Sequence, residues 1–134
     1  MPSDVLSAGL TREATYLVTP DMRPPHVDGI LATSRMISLI EDTCLDLVQP
    51  LLDDGQTSVG TRVDVTHVGT AWAGEEVTIR VMLTKVTQRR LLSFDTEVEA
   101  PAGIISTGTH QRLVLDRSRF VRREAPPPPP ASTR

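Results

Sequence analysis

The clearest hydrophobic periodicity in the chain runs from Thr33 to Leu52. At about 100° per residue, its apolar side chains fall in one arc, while Arg35, Asp42 and Asp46 face the opposite way. The arc consists of Ile37, Ile40, Cys44, Leu47, Val48 and Leu51. This pattern predicts an amphipathic helix with one buried face.

The residues at both ends of this segment set its limits. Thr33 or Ser34 is the expected N-cap, because a side-chain hydroxyl can accept a hydrogen bond from the first turn. Pro50 cannot donate to the helical hydrogen-bond ladder, so the helix should kink or end near Gln49. The expected length is roughly 16 to 20 residues.

Glu41 falls inside the apolar arc of this helix. It comes four residues after Ile37 and three before Cys44, so a rotation that exposed it would also expose the apolar stripe. A buried carboxylate is costly unless it is paired or neutralised. Glu41 is therefore the first residue of the chain that calls for a chemical explanation.

After Ser58 the hydrophobic period changes from that of a helix to that of a strand. One face of the strand that begins here is expected to carry Val59, Thr61, Val63, Val65 and His67. His67 therefore points with the valines towards the helix–sheet interface, as Glu41 does. The two residues are candidates to meet, either as a structural ion pair or as a catalytic base or nucleophile with its proton partner.

Four further strands are predicted, one before the helix and three after the His67 segment. They lie near 14–18, 77–84, 92–99 and 104–115. The connections between the later strands are short, which favours antiparallel neighbours. The expected fold is α+β, with about five strands curled around one helix and with a sheet face and edges open to a partner subunit.

Length and charge restrict the class of protein. The 134 residues fit one domain, placed at 1–121, followed by a proline-rich tail at 122–134 that we expect to be disordered. Residues 1–115 hold 9 basic and 15 acidic groups, and the chain has only four aromatic residues of the Phe, Trp and Tyr types. Such a composition argues against a nucleic-acid surface.

The remaining composition predicts a soluble cytoplasmic protein without a resident metal. The single cysteine, Cys44, excludes an internal disulfide framework and is expected to be a small buried hydrophobe. No segment is long and apolar enough to span a membrane, and no secretory signal opens the chain. His26, His67 and His110 lack metal-ligand spacing.

Several runs of residues together resemble a known family. These are LATSRMISLIEDTC, SVGTRVDVTHVGTAWAG, RRLLSF and GTHQR, over about 90 residues. They are similar to the fluoroacetyl-CoA thioesterase group of the hotdog-fold superfamily, in which Ala-Thr opens the central helix, a Glu follows eight residues later, and Val-Thr-His lies on the next strand. Thr33, Glu41 and His67 occupy these positions.

The resemblance implies a dimeric hotdog fold that hydrolyses an acyl-CoA thioester to the acid and CoA. The catalytic residues would be Thr33, Glu41 and His67. No separate cofactor is expected, since CoA is part of the substrate. Glu41 would attack the carbonyl or activate water, and His67 would move the proton.

Other residues are candidates for substrate binding. The segment PPHVDGIL lacks the phenylalanines with which characterised family members cover a very small acyl group, so we expect a short or medium acyl chain rather than fluoroacetyl. Within it, Val27 is a candidate contact, and His26 and Asp28 are candidates for the entrance. Arg89 and Arg90 are candidates to bind the CoA phosphates, and backbone N–H groups near Thr33 or Gly60 are candidates to bind the carbonyl oxygen.

Helix geometry adds a constraint. Thr33 and Glu41 in one regular helix would lie roughly 12 Å apart along the axis, too far to share a reacting carbon within one chain. We therefore predict a site at the interface of a homodimer, where Thr33 of one subunit approaches Glu41 or His67 of the other. A non-catalytic acyl-CoA-binding module is the main alternative, and an enoyl-thioester hydratase is a weaker one because its Asp and His arrangement is not visible.

Overall fold

One helix lies against a five-stranded antiparallel sheet in the computed structural model, which describes residues 5–122 and 127–130. The elements are β1 (Thr11–Leu17), α1 (Thr33–Val48), β2 (Gln56–Val65), β3 (Glu76–Thr87), β4 (Leu91–Ala100) and β5 (Gly103–Asp116). The strand order is β1-β3-β4-β5-β2, and every neighbouring pair is antiparallel. The predicted α+β architecture is confirmed.

Most of the predicted tail lies outside the described residues. This is true of 123–126 and 131–134, as it is of 1–4 at the other end. Arg122 and the prolines at 127–130 are exposed and have no regular secondary structure. In the described ranges no helix is long and apolar enough to cross a membrane.

The helix has the predicted length but not the predicted cap. It spans 16 residues and passes into a 3-10 turn, Gln49–Leu51, which contains Pro50. The N-cap is Ala32, which makes no side-chain capping bond, and Thr33 is already the first helical residue. The prediction of Thr33 or Ser34 as the N-cap was wrong, and the hydroxyl of Thr33 is bonded to His67 instead.

The buried stripe of α1 is rotated from the predicted one. Its buried side chains are Met36, Leu39, Ile40, Thr43, Cys44 and Val48, whereas Ile37 and Leu47 are only half-buried. The helix packs mainly on β1 and β3, so the face towards those strands is the buried one. Glu41 consequently stands at the border of the stripe, with its side chain 36% exposed.

The inward faces of β3 and β4 alternate as predicted. Val77, Ile79, Val81, Leu83, Leu92, Phe94 and Val98 are all buried. Together with the helix stripe they form the hydrophobic core. Burial of each such side chain contributes about 1.5–3 kcal/mol, so this layer fixes how the helix sits on the sheet.

A β-bulge in β2 changes the predicted face of this strand. The register with β5 shifts between Gly60 and Arg62, so that Val59 lies opposite Leu113 but Val63 lies opposite His110. Leu113 and His110 are three residues apart on a regular strand and point to opposite faces. Val59 and Val63 therefore do not share a face, and His67 lies beyond the end of β2.

The outward face of the sheet is polar, and one guanidinium links three of its strands. Arg80 of β3 contacts Glu13 of β1 at 2.8 Å, Glu97 of β4 at 2.9 Å and Glu99 of β4 at 2.8 Å. The side chains are partly exposed, so solvent screens the charges. The contacts hold three adjacent strands in register on the face away from the helix.

Gly108 permits β2 to pack against β5 just before the chain reaches His67. A Cβ at this position would collide with the carbonyl oxygen of Asp64 and lie 2.6 Å from the Cα of Val65. Both obstacles are backbone atoms of an ordered strand, so they cannot move away as a flexible side chain would.

We expect Gly108→Ala to lower the free energy of unfolding by about 1–3 kcal/mol, because β2 must shift to make room. Urea denaturation followed by circular dichroism measures the change. Thr109→Ala, on the exposed face next to it, is the matched control and should change stability by less than about 0.5 kcal/mol. Equal effects of the two substitutions would contradict the steric explanation.

Candidate functional site

The start of α1 and the loop after β2 meet through two side chains. The Oγ1 atom of Thr33 lies 2.7 Å from Nδ1 of His67. The backbone supports this contact, because the N–H of Leu31 donates to the carbonyl of Ala71 at 2.9 Å and so ties the segment before the helix to the loop after β2. The structure thus brings two of the three predicted catalytic residues together.

His67 is in a state suited to proton transfer near neutral pH. The ring is half-buried, and burial lowers its pKa below the ordinary 6.5, although a backbone hydrogen bond with Gly69 acts in the opposite direction. The imidazole is therefore neutral at pH 7 and keeps one nitrogen lone pair. Such a ring can take a proton from a hydroxyl or from water.

A cleft of about 420 Å³ opens beside the Thr33–His67 pair. Its lining includes Pro24, His26, Leu31, Thr33, His67 and Val68. His26, a predicted entrance residue, does lie there. Among the described residues that line the cleft, none is Phe, Tyr or Trp.

Four other candidate substrate contacts do not line this cleft. Val27 is exposed in the loop before the helix, and Asp28 makes an ion pair with Arg23 at 3.4 Å. Arg89 and Arg90 are exposed in the turn between β3 and β4. Their proposed contacts with substrate stay predictions.

Glu41 belongs to a second group of polar residues, on the inner side of β2 and β5. Its Oε2 atom is 3.9 Å from Nη1 of Arg112. Gly60 of β2 lies against the same carboxylate, since a Cβ built on Gly60 would overlap Oε2. Glycine is therefore the residue that lets the carboxylate rest against the strand, a role different from the backbone donor predicted for Gly60.

The predicted meeting of Glu41 with His67 does not occur within the chain. In the part of the chain that is described, no hydrogen bond or ion pair joins these residues. His67 lies at the N-terminal end of α1, whereas Glu41 lies about two turns further along.

Thr33 reaches His67 within one chain. The predicted approach of Thr33 to a residue of the other subunit therefore concerns Glu41. An approach of Glu41 from a second subunit stays a prediction.

His110 and Arg112 are site residues that the sequence interpretation did not single out. Both are buried on β5, at 0% and 5% exposure. Both belong to the GTHQR run, and His110 is also one of the three histidines that lack metal-ligand spacing. The available signal was the alternation of β5, which places both on the inward face with Val114, where an arginine is unexpected.

Cys44 is fully buried, as predicted, and burial raises the pKa of its thiol to about 12, so it is a hydrophobic side chain rather than a nucleophile. Within the described ranges, no group of three or more His, Cys, Asp or Glu side chains is arranged to hold a metal ion.

Comparison with known proteins adds evolutionary context to this geometry. The profile of the family described as fluoroacetyl-CoA-specific thioesterase matches residues 14–118. The fluoroacetyl-CoA thioesterase of Streptantibioticus cattleyicolor is 35% identical over 102 residues, which cover 72% of this chain and 71% of that protein.

Solved structures agree with the sequence relatives. The structure of the fluoroacetyl-CoA thioesterase FlK superposes with a TM-score of 0.81 at 27% identity, covering 86% of this chain and 92% of that one. A hot-dog-like protein from Thermanaerovibrio acidaminovorans shares the fold alone, with a TM-score of 0.77 at 20% identity over 91% of this chain and 98% of that one. The fold is thus the hotdog fold, and the chain is a thioester hydrolase that belongs to the fluoroacetyl-CoA-specific thioesterase family.

Proposed function

We propose that this protein hydrolyses short or medium acyl-CoA thioesters to the free acid and CoA, in a site shared by the two subunits of a homodimer. Thr33 and His67 of one subunit face Glu41 of the other across the bound thioester. The observation that carries the proposal is the 2.7 Å contact between Thr33 Oγ1 and His67 Nδ1 at the edge of an open cleft.

The reaction needs an oxygen nucleophile and a place for its proton. Glu41 either attacks the thioester carbonyl itself, giving an acyl-enzyme anhydride that water then cleaves, or removes a proton from the attacking water. In both routes the C–S bond breaks and CoA leaves as a thiolate. A thiol of pKa about 8.5 needs little acid assistance, so His67 mainly relays the proton between water, Thr33 and the leaving group.

The negative charge that develops on the carbonyl oxygen requires hydrogen-bond donors. The first turn of α1 offers backbone N–H groups from Thr33 onward, since the N-cap Ala32 supplies no side-chain acceptor for them. The helix dipole favours an anion at the same place. The backbone N–H of Gly60 is the second candidate donor.

The shared site follows from the rigidity of α1. Thr33 and Glu41 both belong to this helix, and eight residues separate their side chains by roughly 12 Å. A single carbonyl carbon therefore cannot contact both within one chain. The open edge of β2, where Val63 is 38% exposed, offers unpaired backbone groups to a second copy.

The described lining of the cleft contains no Phe, Tyr or Trp, which supports the proposed substrate class. The relative from Streptantibioticus cattleyicolor is named for fluoroacetyl-CoA. In this chain the loop before the helix presents His26 to the cleft, and no Phe, Tyr or Trp is among the described lining residues. We therefore propose a less restricted acyl group, with Val27 near its path and with Arg89 and Arg90 as partners for the CoA phosphates.

Purified protein should release CoA from short and medium acyl-CoAs, measured with a thiol-trapping dye. Glu41→Gln and His67→Ala should each lower kcat at least about a hundredfold, because acid–base partners typically contribute 10²–10⁴-fold. Asp46→Asn, which removes an exposed carboxylate from the same helix, is the matched control and should keep its turnover.

Two outcomes would contradict this assignment. Turnover near the wild-type value in either active-site variant would remove that residue from the chemistry. Acyl-CoA binding without any thiol release would instead identify a non-catalytic binding module.

Mixed dimers test whether the site is shared. Glu41→Gln and His67→Ala subunits, each inactive alone, should recover about a quarter of wild-type activity when co-expressed, because half of the dimers are mixed and each mixed dimer has one intact site. Tags on the two subunits allow the mixed dimer to be isolated and assayed. If the site were complete within one chain, the mixed dimer would be inactive.

The acid side of the pH profile should report His67. Burial disfavours its protonated form, so the neutral ring persists below the ordinary pKa of 6.5. We expect the acid-side decline of kcat/KM to be centred below pH 6.5, as His67 becomes protonated. His26→Gln should retain this decline. A decline centred above pH 6.5 would contradict the assignment to His67.

A further inference from the structure

Both ring nitrogens of the buried His110 have partners that determine where its proton lies. Nδ1 is 2.8 Å from the carbonyl oxygen of Arg62, which can only accept, so Nδ1 donates. Nε2 is 3.1 Å from Nη1 of Arg112, which can only donate, so Nε2 accepts. The two contacts together require a neutral ring protonated on Nδ1.

Arg112 is held on three sides by this ring and by Ser58. Its Nε donates to Ser58 Oγ at 2.8 Å, its Nη2 to the carbonyl of Ser58 at 2.9 Å, and its Nη1 to His110. These acceptors are neutral. The carboxylate of Glu41, 3.9 Å from Nη1, supplies the negative charge next to this cation, whose side chain is only 6% exposed.

The surroundings keep His110 neutral and fixed. Phe94 stacks on its ring, with centroids 6.0 Å apart and planes inclined by 27°. Burial lowers the pKa of His110, Arg112 lowers it further, and Glu41 acts in the opposite direction. Cys44 and Asp42 are the other ionisable groups that interact with Arg112 from α1, and the thiol of Cys44 is uncharged.

We propose that His110 is a positioning residue for Glu41, acting through Arg112. The ring aims Nη1 of the guanidinium at the carboxylate, and Gly60 supports the carboxylate from the strand side. A glutamate at the border of a helix stripe would otherwise sample several rotamers. This inference rests on the proposed function, in which Glu41 attacks the thioester or activates water.

The role predicts an effect on chemistry rather than on binding. A displacement of about 1 Å at a reacting group can cost on the order of a hundredfold in rate. CoA itself need not touch His110, because the ring is fully buried. Loss of the ring contact should therefore lower kcat and leave KM nearly unchanged.

Two substitutions separate the two hydrogen bonds of the ring. In His110→Asn the amide N–H can still donate to Arg62, but no acceptor reaches Arg112. In His110→Gln the longer side chain places an amide oxygen near the former Nε2. We expect kcat to fall at least about tenfold in the Asn variant, while KM stays within about twofold of the wild-type value. The Gln variant should recover most of kcat.

Thr109→Ala, on the exposed face of the same strand, is the control for general disturbance of β5. Equal loss of kcat in the Asn and Gln variants would overturn the proposal, because a merely structural histidine does not distinguish them.

Two structural measurements decide the proposal independently of turnover. Crystal structures should show the Arg112 guanidinium withdrawn from Glu41 in His110→Asn and retained in His110→Gln. If Arg112 and Glu41 do not move in the Asn variant, the proposal is wrong.

Nitrogen-15 NMR of the wild-type ring, which requires no variant to fold, should show the neutral tautomer protonated on Nδ1. A charged ring or the other tautomer would overturn the inference. If the wild-type protein released no thiol from any acyl-CoA, the proposed thioesterase function would be wrong. Both structural measurements would still test whether His110 positions Arg112 and Glu41.

Discussion

The rigidity of α1 is the constraint on which the proposed site depends. A regular helix advances about 1.5 Å per residue, so Thr33 at its first position and Glu41 eight residues later cannot converge on one atom. In the folded chain the two residues belong to separate groups of side chains. Thr33 joins His67 at the helix start, and Glu41 joins Arg112 and Gly60 further along. A second subunit is the simplest way to bring a Thr33–His67 pair opposite a Glu41, because it leaves the helix straight.

The Glu41 group illustrates how a charge is accommodated beside a hydrophobic core. The guanidinium of Arg112 would be costly in this position without partners. Ser58 and His110 satisfy its donors, and Glu41 provides the opposite charge at the margin of the helix stripe. Burial lowers the pKa of Arg112, while the neighbouring negative charge raises it. A carboxylate at the border of an apolar stripe, which is unfavourable when α1 is considered alone, is thus matched by a cation from β5.

The sequence predicted the helix and the antiparallel strands, but not which polar side chains meet: the structure joins Thr33 to His67 and places Glu41 beside Arg112. Hydrophobic periodicity sufficed for α1 and for the alternation of β3 and β4, because each pattern reflects burial on one face. It failed at β2, since a bulge after Gly60 inverts the alternation without any local change of composition. The N-cap of α1, which was predicted from the hydroxyl side chains at its start, was also wrong, because the hydroxyl of Thr33 is bonded to a histidine 34 residues later. Contacts between distant segments, such as that of Arg112 with Ser58, leave no periodic trace.

In the proposed site, Glu41 and the loop that borders the cleft belong to different segments of the chain. The proposed catalytic groups lie on α1 and directly after β2, where packing and hydrogen bonds define their positions. The cleft, in contrast, is bordered by the loop before the helix, which carries proline, histidine and aliphatic side chains. An apolar pocket distinguishes acyl groups by only about 1–3 kcal/mol per methylene, and an open one by less. Changes in this loop can therefore alter which acyl group is accepted while the Thr33–His67 pair and the support of Glu41 remain the same.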